Sequence, residues 1–165
     1  MAEMITQQRL RELFDYSDGK LIRRISVKGS HKGTVIGTEK PKGYVVAIVD
    51  GEMFRVHQLV WMYFNGEFAV ELDHINRVRN DNRIENLREC NHSQNLGNSR
   101  PRVHKYKGVS LCKQTQRWVA QLAGKKLGRH DTIEEAAIAY NKAAVVHCGE
   151  FAYLNEIENA GSLSV

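Results

Sequence analysis

The sequence is poor in cysteine, and its three cysteines, Cys90, Cys112 and Cys148, lie far apart. No pair has the CxxC spacing, and the number is odd. The pattern therefore supports neither a disulfide framework nor a cysteine zinc site. We expect small buried or half-buried thiols and no structural zinc.

Long apolar runs are also missing. No stretch approaches the roughly 20 apolar residues that a membrane-spanning helix needs. Residues 1–20 mix charged with apolar side chains and do not form an apolar signal segment. The sequence shows no internal repeat and no low-complexity tract. For 165 residues we expect one medium or two small globular domains in the cytoplasm, with no membrane partner.

Positive charge is concentrated in one segment. The net charge of the chain is +5, and residues 101–150 hold nine Lys or Arg against four Asp or Glu. A basic segment of this kind is typical of proteins that bind a polyanion such as nucleic acid. Many soluble domains also have a basic face, so the charge alone leaves the partner open.

The first part of the chain alternates short helices and strands. Apolar residues at helical spacing from Ile5 to Phe14, with Thr6 as a cap, predict the first helix. Asp50-Gly51 favours a hairpin turn, because both residues tolerate a positive φ. The further predicted elements are a strand at 19–25, the hairpin at 43–57, a helix at 57–68, strands at 70–75 and 87–90, and a helix at 92–98 that begins near Ser93.

A second group of elements follows a basic linker at 99–105. Three short strands are predicted at 108–113, 117–123 and 125–130. Thr132 and Glu135 have the spacing of a capping box, and the helix that they start is expected to end at Gly149. The fold class is α+β in two small domains, 1–98 and 106–155, with a tail at 156–165. The second domain is a three-stranded antiparallel sheet packed on one helix.

Chemically active residue types are concentrated between residues 71 and 95. Asp73 offers hard carboxylate oxygens that suit Mg²⁺, and His74 can accept a proton from water near neutral pH. Asn86 can orient the imidazole, and Asn95 can offer a carbonyl oxygen to a metal. Such a set suits phosphodiester hydrolysis. An Asp-His pair is often structural, however, and neighbours on a regular strand face opposite sides, so these two share a site only at a strand end or distortion.

Residues 43–98, with "VHQLVWMYF" and "VELDHINRVRNDNRIENLRECNHSQN", resemble the HNH nucleases of the ββα-metal fold, as found in phage and homing endonucleases. The resemblance implies that His74 is the general base, Asn86 its orienter, and Asp73 and Asn95 the ligands of one divalent cation. Asn95 stands where histidine is common, which is the HNN variant. The implied cofactor is Mg²⁺ or another hard divalent cation such as Mn²⁺, and the core of the motif is expected at about 70–98.

Other polar residues near this motif have plainer interpretations. His57 is interpreted as a packing residue, and His92 as a helix-start or surface residue. Asn76, Asn80 and Asn82 are expected to shape the loop. For Arg77, Arg79 and Arg83 both a phosphate contact and simple solvation remain open.

Residues 106–155 resemble the AP2/ERF DNA-binding domain. The similarity is carried by "YKGV" at 106–109, "WVA" at 118–120, Leu127-Gly128, "DTIEEAAIAYNKAA" at 131–144 and "FAYLN" at 151–155. It implies that a three-stranded sheet enters the major groove of double-stranded DNA. Lysine at several positions where the family has arginine implies relaxed sequence specificity. With the linker included, the expected DNA-contacting residues are Arg100, Arg102, Lys105, Lys107, Ser110, Lys113, Arg117, Trp118, Gln121, Lys125, Lys126 and Arg129.

Taken together, these patterns predict a metal-dependent DNA endonuclease of the phage or mobile-element homing type, positioned on DNA by the AP2-like domain. The expected ends are 5′-phosphate and 3′-hydroxyl. A monomer or a homodimer is compatible with the sequence, and no protein partner is inferred. The alternatives are an AP2-type regulator with an inactive HNH remnant, or a phage nuclease of low specificity.

Overall fold

The computed structural model describes residues 5–101 and 104–157. The chain divides between His92 and Ser93 into two compact units, which we describe separately. Its secondary structure is mixed α and β, with four helices and several small sheets among the described residues. No helix in these ranges is both long and apolar enough to cross a membrane.

The first unit is built from three small sheets and two helices. Its elements are α1 (Gln7–Leu13), β1 (Phe14–Ser17), β2 (Lys20–Arg23), β3 (Thr38–Glu39), β4 (Val45–Val49), β5 (Glu52–Arg55), α2 (Val56–Asn65), β6 (Leu72–His74) and β7 (Leu87–Glu89). β1 pairs with β2, β4 lies between β3 and β5, and β6 pairs with β7, all antiparallel. The core lies between α1, α2 and the strands, and includes Leu10, Phe14, Leu21, Leu59 and Val60.

Helix α1 begins where the sequence predicts and ends earlier than its apolar spacing suggests. The Thr6 side chain accepts a hydrogen bond from the Arg9 amide and caps the helix. Phe14 continues the helical spacing but adopts extended backbone, pairs with Arg23 in β2 and is fully buried. The pairing partner that makes it a strand residue lies outside the local window, so spacing alone assigns it to the helix.

Two turns of the first unit depend on positive φ angles. Asp50 and Gly51 have φ of 49° and 88° and join β4 to β5, as their sequence predicts. Gly19, in the β1–β2 turn, has φ of 76°. A Cβ on Gly19 would lie 2.7 Å from the Arg83 amide nitrogen and 2.9 Å from the Asn82 carbonyl carbon. The hairpin therefore packs directly against the loop that joins β6 to β7.

The second unit is a three-stranded sheet covered by one helix. Its elements are α3 (His92–Asn98), which starts at the division, β8 (Val109–Cys112), β9 (Arg117–Leu122), β10 (Lys125–His130) and α4 (Ile133–Cys148). The strand order is β10-β9-β8, antiparallel throughout. Thr132 and Glu135 form the capping box that their spacing predicts. Ala136, Ala137 and Ala144 are fully buried, so the helix lies close to the sheet.

Helix α3 clusters with the second unit, whereas the sequence assigns it to the first. A Cβ on Gly97 would lie 3.0 Å from the Phe151 carbonyl oxygen, and the Tyr153 amide donates to the Gly97 carbonyl at 3.0 Å. The Lys107 ammonium also binds the Leu96 and Gly97 carbonyls, at 2.7 and 2.6 Å. These contacts join α3 to residues that follow it in sequence.

The three cysteines are free thiols. Cys90 is buried, and burial raises the pKa of its thiol to about 11. Cys112 and Cys148 are half-buried. The expectation of buried or half-buried thiols is confirmed.

Candidate functional site

His74 is the last residue of β6 and lies inside the first unit. It is opposite Leu87 of β7, a core residue, and is 5% exposed. The ring of His57 contacts its ring edge-to-face with 4.9 Å between centroids, and the Tyr44 ring lies at 6.2 Å. The backbone turns immediately after the strand, where the Arg77 amide donates to the His74 carbonyl. The histidine is therefore at a strand end, as a shared site requires.

Asn82 makes the side-chain hydrogen bond to the His74 ring. Its Oδ1 atom lies 3.2 Å from Nε2 of the histidine, and Asn82 itself is 3% exposed. An amide oxygen only accepts, so this bond requires the proton on Nε2. In a neutral imidazole the proton-accepting lone pair is then on Nδ1.

Asn86 holds the loop that carries Asn82. Its Oδ1 accepts from the Asn76 amide at 3.0 Å, while its Nδ2 donates to the Asn76 side chain at 3.1 Å and to the Asp81 carbonyl at 2.8 Å. The buried Asn86 amide thus ties both ends of the loop to the start of β7. The direct contact with the histidine that the sequence assigns to Asn86 remains a prediction.

Asp81 provides a second brace for this loop. Its carboxylate binds Arg83 through two hydrogen bonds of 2.8 Å and accepts from Nδ2 of Asn76 at 2.6 Å. The Arg83 guanidinium, helped by Asn76, lowers the pKa of the Asp81 carboxyl to about 2. The Arg83 guanidinium is therefore bound within the loop by this ion pair.

His57 and His74, which we call the histidine pair, both favour the neutral form. Burial is the main reason that the pKa of His74 lies below its usual value, although the bond to Asn82 and the charges of Asp73 and Asp81 act in the opposite direction. Burial, with His74 and Arg55 nearby, lowers the pKa of His57 to about 3. Nδ1 of His57 is buried without a hydrogen-bond partner among the described residues. A neutral imidazole at His74 is the form that can accept a proton.

Asp73 directly precedes His74 in β6 and is paired with Arg88. The two residues are directly opposite in the β6–β7 register, and Nε and Nη2 of Arg88 lie 3.0 and 2.9 Å from Oδ2 of Asp73. Both side chains are largely buried, at 8% and 14% exposure. The carboxylate still interacts with His74, because its charge acts to raise the pKa of the histidine.

Asn95 lies on α3 and is half-buried within the second unit. The structure brings Asp73, His74, Asn82 and Asn86 together in the first unit. Asn95 as the second metal ligand stays a prediction. His92 is exposed and is the first residue of α3, which agrees with its interpretation as a helix-start residue.

Comparison with known families gives a match in this region. Residues 54–96 match the family model described as HNH endonuclease. The match supports an HNH nuclease domain. No curated protein and no solved structure matches the chain. The matched segment contains β6, the braced loop, β7 and most of α3, which follow one another in the order strand, strand, helix.

HNH nucleases typically use a divalent metal. No group of three or more His, Cys, Asp and Glu side chains with metal-binding geometry occurs in residues 5–101 and 104–157. The Asp73 carboxylate is nevertheless a hard oxygen donor held in a fixed place beside His74, which suits a cation that keeps several waters. A cation on this carboxylate would share it with the Arg88 guanidinium or displace that group.

The expected DNA-contacting residues of the second unit divide between the two faces of the sheet. Strand alternation and register place one group on the face opposite Val109 and Ala120, which are buried under α4. That outer group consists of Ser110, Arg117, Gln121, Lys126 and Arg129. By the same alternation, Trp118 and Lys125 lie on the face toward α4, and Trp118 packs against the core.

The remaining members of that set have varied surroundings. Arg100, Lys105 and Lys113 are exposed, whereas the Lys107 ammonium is engaged with the carbonyls at the end of α3. Arg117 pairs with Asp131 at 3.0 Å on the surface. Arg102 lies outside the described residues. A cleft of about 480 Å³ is bordered by four of the set, namely Arg100, Lys107, Ser110 and Gln121.

Sequence reasoning missed the role of Asn82. The loop holds four asparagines between residues 76 and 86, and composition predicts turn-formers for such a stretch. No signal within the sequence distinguishes the one whose amide reaches the histidine. Burial separates them, because Asn82 is 3% exposed whereas Asn76 and Asn80 are exposed.

The Asp73–Arg88 pair gives a test of the metal ligand that does not depend on activity. Replacing Arg88 by Met leaves a largely buried carboxylate without this guanidinium, which we expect to cost about 3 kcal/mol of unfolding free energy. Mg²⁺ should return part of that loss, so millimolar Mg²⁺ should raise the Tm of Arg88→Met more than that of the parent.

The matched control is the double variant Asp73→Asn, Arg88→Met, in which the carboxylate is absent and the Mg²⁺ effect should vanish. Thermal unfolding followed by circular dichroism gives both values. An Mg²⁺ response that is equal in all three proteins would contradict Asp73 as a cation ligand.

Proposed function

We propose that this protein is a metal-dependent DNA endonuclease in which His74 is the general base. The observation that carries the proposal is the buried His74 ring, oriented through Nε2 by Asn82 within a segment that matches the HNH family. Asn86 supports the orientation by bracing the loop. The proposed ligands of a single Mg²⁺ or Mn²⁺ ion are Asp73 and Asn95.

The chemistry follows from the tautomer of the histidine. Nδ1 of His74 takes a proton from a water molecule while the water oxygen forms a bond to the phosphorus. The bond from phosphorus to the 3′-oxygen breaks, and solvent protonates the leaving oxygen, which gives 5′-phosphate and 3′-hydroxyl ends. A divalent cation, when bound, polarises the phosphate and stabilises the leaving oxygen. Asp73 holds that charge beside the reacting group.

Plasmid nicking tests this function directly. With Mg²⁺, the protein should convert supercoiled plasmid to open circles, and a chelator should stop the conversion. His74→Ala should lower the rate by about 10³-fold, because proton transfer by a placed side chain contributes roughly 10²–10⁴-fold. DNA binding should survive, as shown by a gel-shift control. Nicking by His74→Ala at the parental rate would remove this residue from the mechanism.

We further propose that the second unit holds the DNA in the manner of an AP2-type domain. The support is the sheet with α4 on one face and the row of polar and basic residues on the other. Lys126 and Arg129 are exposed on that outer face, where cations can contact phosphates. A basic side chain outside the face, Lys142 on α4, provides the comparison.

Salt dependence measures this contact. Lys126→Gln should lower the slope of log K against log salt concentration by about 0.9, because one phosphate fewer is neutralised. Lys142→Gln should leave the slope unchanged. Fluorescence anisotropy with a labelled duplex across a salt series gives both values. Equal slopes for the two variants would show that the outer face does not hold DNA.

A phage or mobile-element homing role completes the proposal. Two other functions remain as outcomes of the experiments above. A regulator with an inactive HNH remnant would bind DNA with an unchanged salt dependence and would not nick. A nuclease of low specificity would nick unrelated plasmids equally and would show little dependence on Lys126. Asp73, His74 and Asn86 are all present in the first unit, and this favours an active enzyme over an inactive remnant.

A further inference from the structure

Two arginines share one aromatic ring beside the histidine pair. The guanidinium carbons of Arg55 and Arg79 lie 4.8 and 4.9 Å from the centroid of the Tyr44 ring. Tyr44 in turn lies 5.5 Å from the ring of His57 and 6.2 Å from that of His74. We call Arg55, Tyr44 and Arg79 the arginine clamp.

The clamp is assembled from three separate segments. Tyr44 directly precedes β4, Arg55 ends β5 at the N-cap position of α2, and Arg79 comes from the loop after β6. Arg79 also donates to the Lys42 carbonyl at 3.0 Å, which ties that loop to the turn before Tyr44. The two guanidiniums therefore have a fixed position relative to the His74 ring.

The charges of the clamp are not neutralised within the first unit. Four other arginines pair with an aspartate, in Arg9–Asp50, Arg24–Asp15, Arg83–Asp81 and Arg88–Asp73. Arg55 and Arg79 are exposed, and neither forms an ion pair in the described part of the chain. Two like charges on one ring without a carboxylate favour an anionic ligand.

Stacking leaves a guanidinium able to bind that ligand. The guanidinium carbons lie over the ring. The N–H bonds of a guanidinium lie in its own plane and can donate to phosphate oxygens in a forked geometry. The ring also restrains the side chain before binding, so less conformational entropy is lost when the ligand arrives. Phosphodiester oxygens are the anions that DNA offers at such a place.

We propose that Arg55 and Arg79 bind phosphates of the DNA strand that enters the His74 site, and that Tyr44 sets their position relative to this histidine. The proposal rests on the proposed nuclease function and adds the residues that align the strand. Arg55 and Arg79 are binding residues, and Tyr44 is a positioning residue.

The variants Arg55→Gln and Arg79→Gln test the proposal against a matched control. Arg11 also stacks on a tyrosine, with its guanidinium carbon 5.5 Å from the Tyr63 centroid, and it donates to the Tyr63 backbone carbonyl. In the His74→Ala background, each clamp variant should lower the salt slope of DNA binding by about 0.9. Arg11→Gln should leave the slope unchanged.

Nicking by the same variants with His74 intact gives the second measurement. Each Gln variant should lower kcat/KM by about tenfold or more, since charged hydrogen bonds to the strand are lost. Arg55→Lys and Arg79→Lys should restore the salt slope but not the full nicking rate, because an ammonium keeps the charge without the fork. A merely structural role would not separate these two readouts.

The outcomes distinguish this proposal from the function on which it rests. If Arg55→Gln and Arg79→Gln bind and nick like Arg11→Gln while the parent is active, the clamp is overturned. If the parent does not nick, the nuclease function fails. The binding slopes then still decide the clamp, because an unchanged slope overturns it and a reduced slope supports it. Tm values within about 2 °C of the parent show that folding is intact.

Discussion

The hydrogen bond between Asn82 Oδ1 and His74 Nε2 depends on a loop that has little apolar material of its own. The loop keeps its shape because the buried Asn86 amide binds Asn76 and the Asp81 backbone. A buried amide with satisfied partners favours one arrangement over others, since any alternative leaves a polar group unpaired. The orientation of the candidate base therefore depends on Asn86, which acts indirectly by holding the loop that carries Asn82.

The hairpin at the start of the chain stabilises the same loop from outside. Only glycine fits at position 19, because a Cβ would lie too close to the Asn82–Arg83 peptide. Tyr16 of β1 adds a contact, since its hydroxyl accepts from the Ile84 amide at 3.1 Å. A segment remote from the HNH motif in sequence thus helps to fix the residue that orients His74.

Charge is distributed unevenly around the candidate base. Asp73 forms an ion pair with Arg88, and Asp81 forms one with Arg83, so each carboxylate is paired with a guanidinium. Arg55 and Arg79 form no ion pair in the described residues, and both contact Tyr44, whose ring lies near the two histidines. The surroundings of His74 are therefore apolar and cationic on the side of Tyr44, which favours a neutral imidazole and an anionic substrate.

Local signals predicted much of this fold, and long-range contacts account for the rest. The Thr6 cap, the Asp50-Gly51 turn and the Thr132–Glu135 box each act within a few residues, so the sequence predicts them directly. Phe14 becomes a strand residue because of a partner in β2. The choice of Asn82 among several asparagines depends on tertiary packing, which no spacing within the sequence reveals.

The same distinction applies to the candidate site. Asp73, His74 and Asn86 are predicted from the sequence because their spacing resembles that of a family motif, and the family match at residues 54–96 includes their positions. Tyr44, Arg55 and Arg79 come from three segments, and only the folded structure brings them to one ring.

In the proposed mechanism, the hydrogen bond with Asn82 holds His74 as a base that accepts a proton on Nδ1. The tautomer can be measured by ¹⁵N NMR of protein labelled in the histidine rings, with the His74 signals assigned from their loss in His74→Ala. We expect a neutral ring that carries its proton on Nε2 at neutral pH. A ring protonated on Nδ1 instead would show that Asn82 does not orient the histidine in this way.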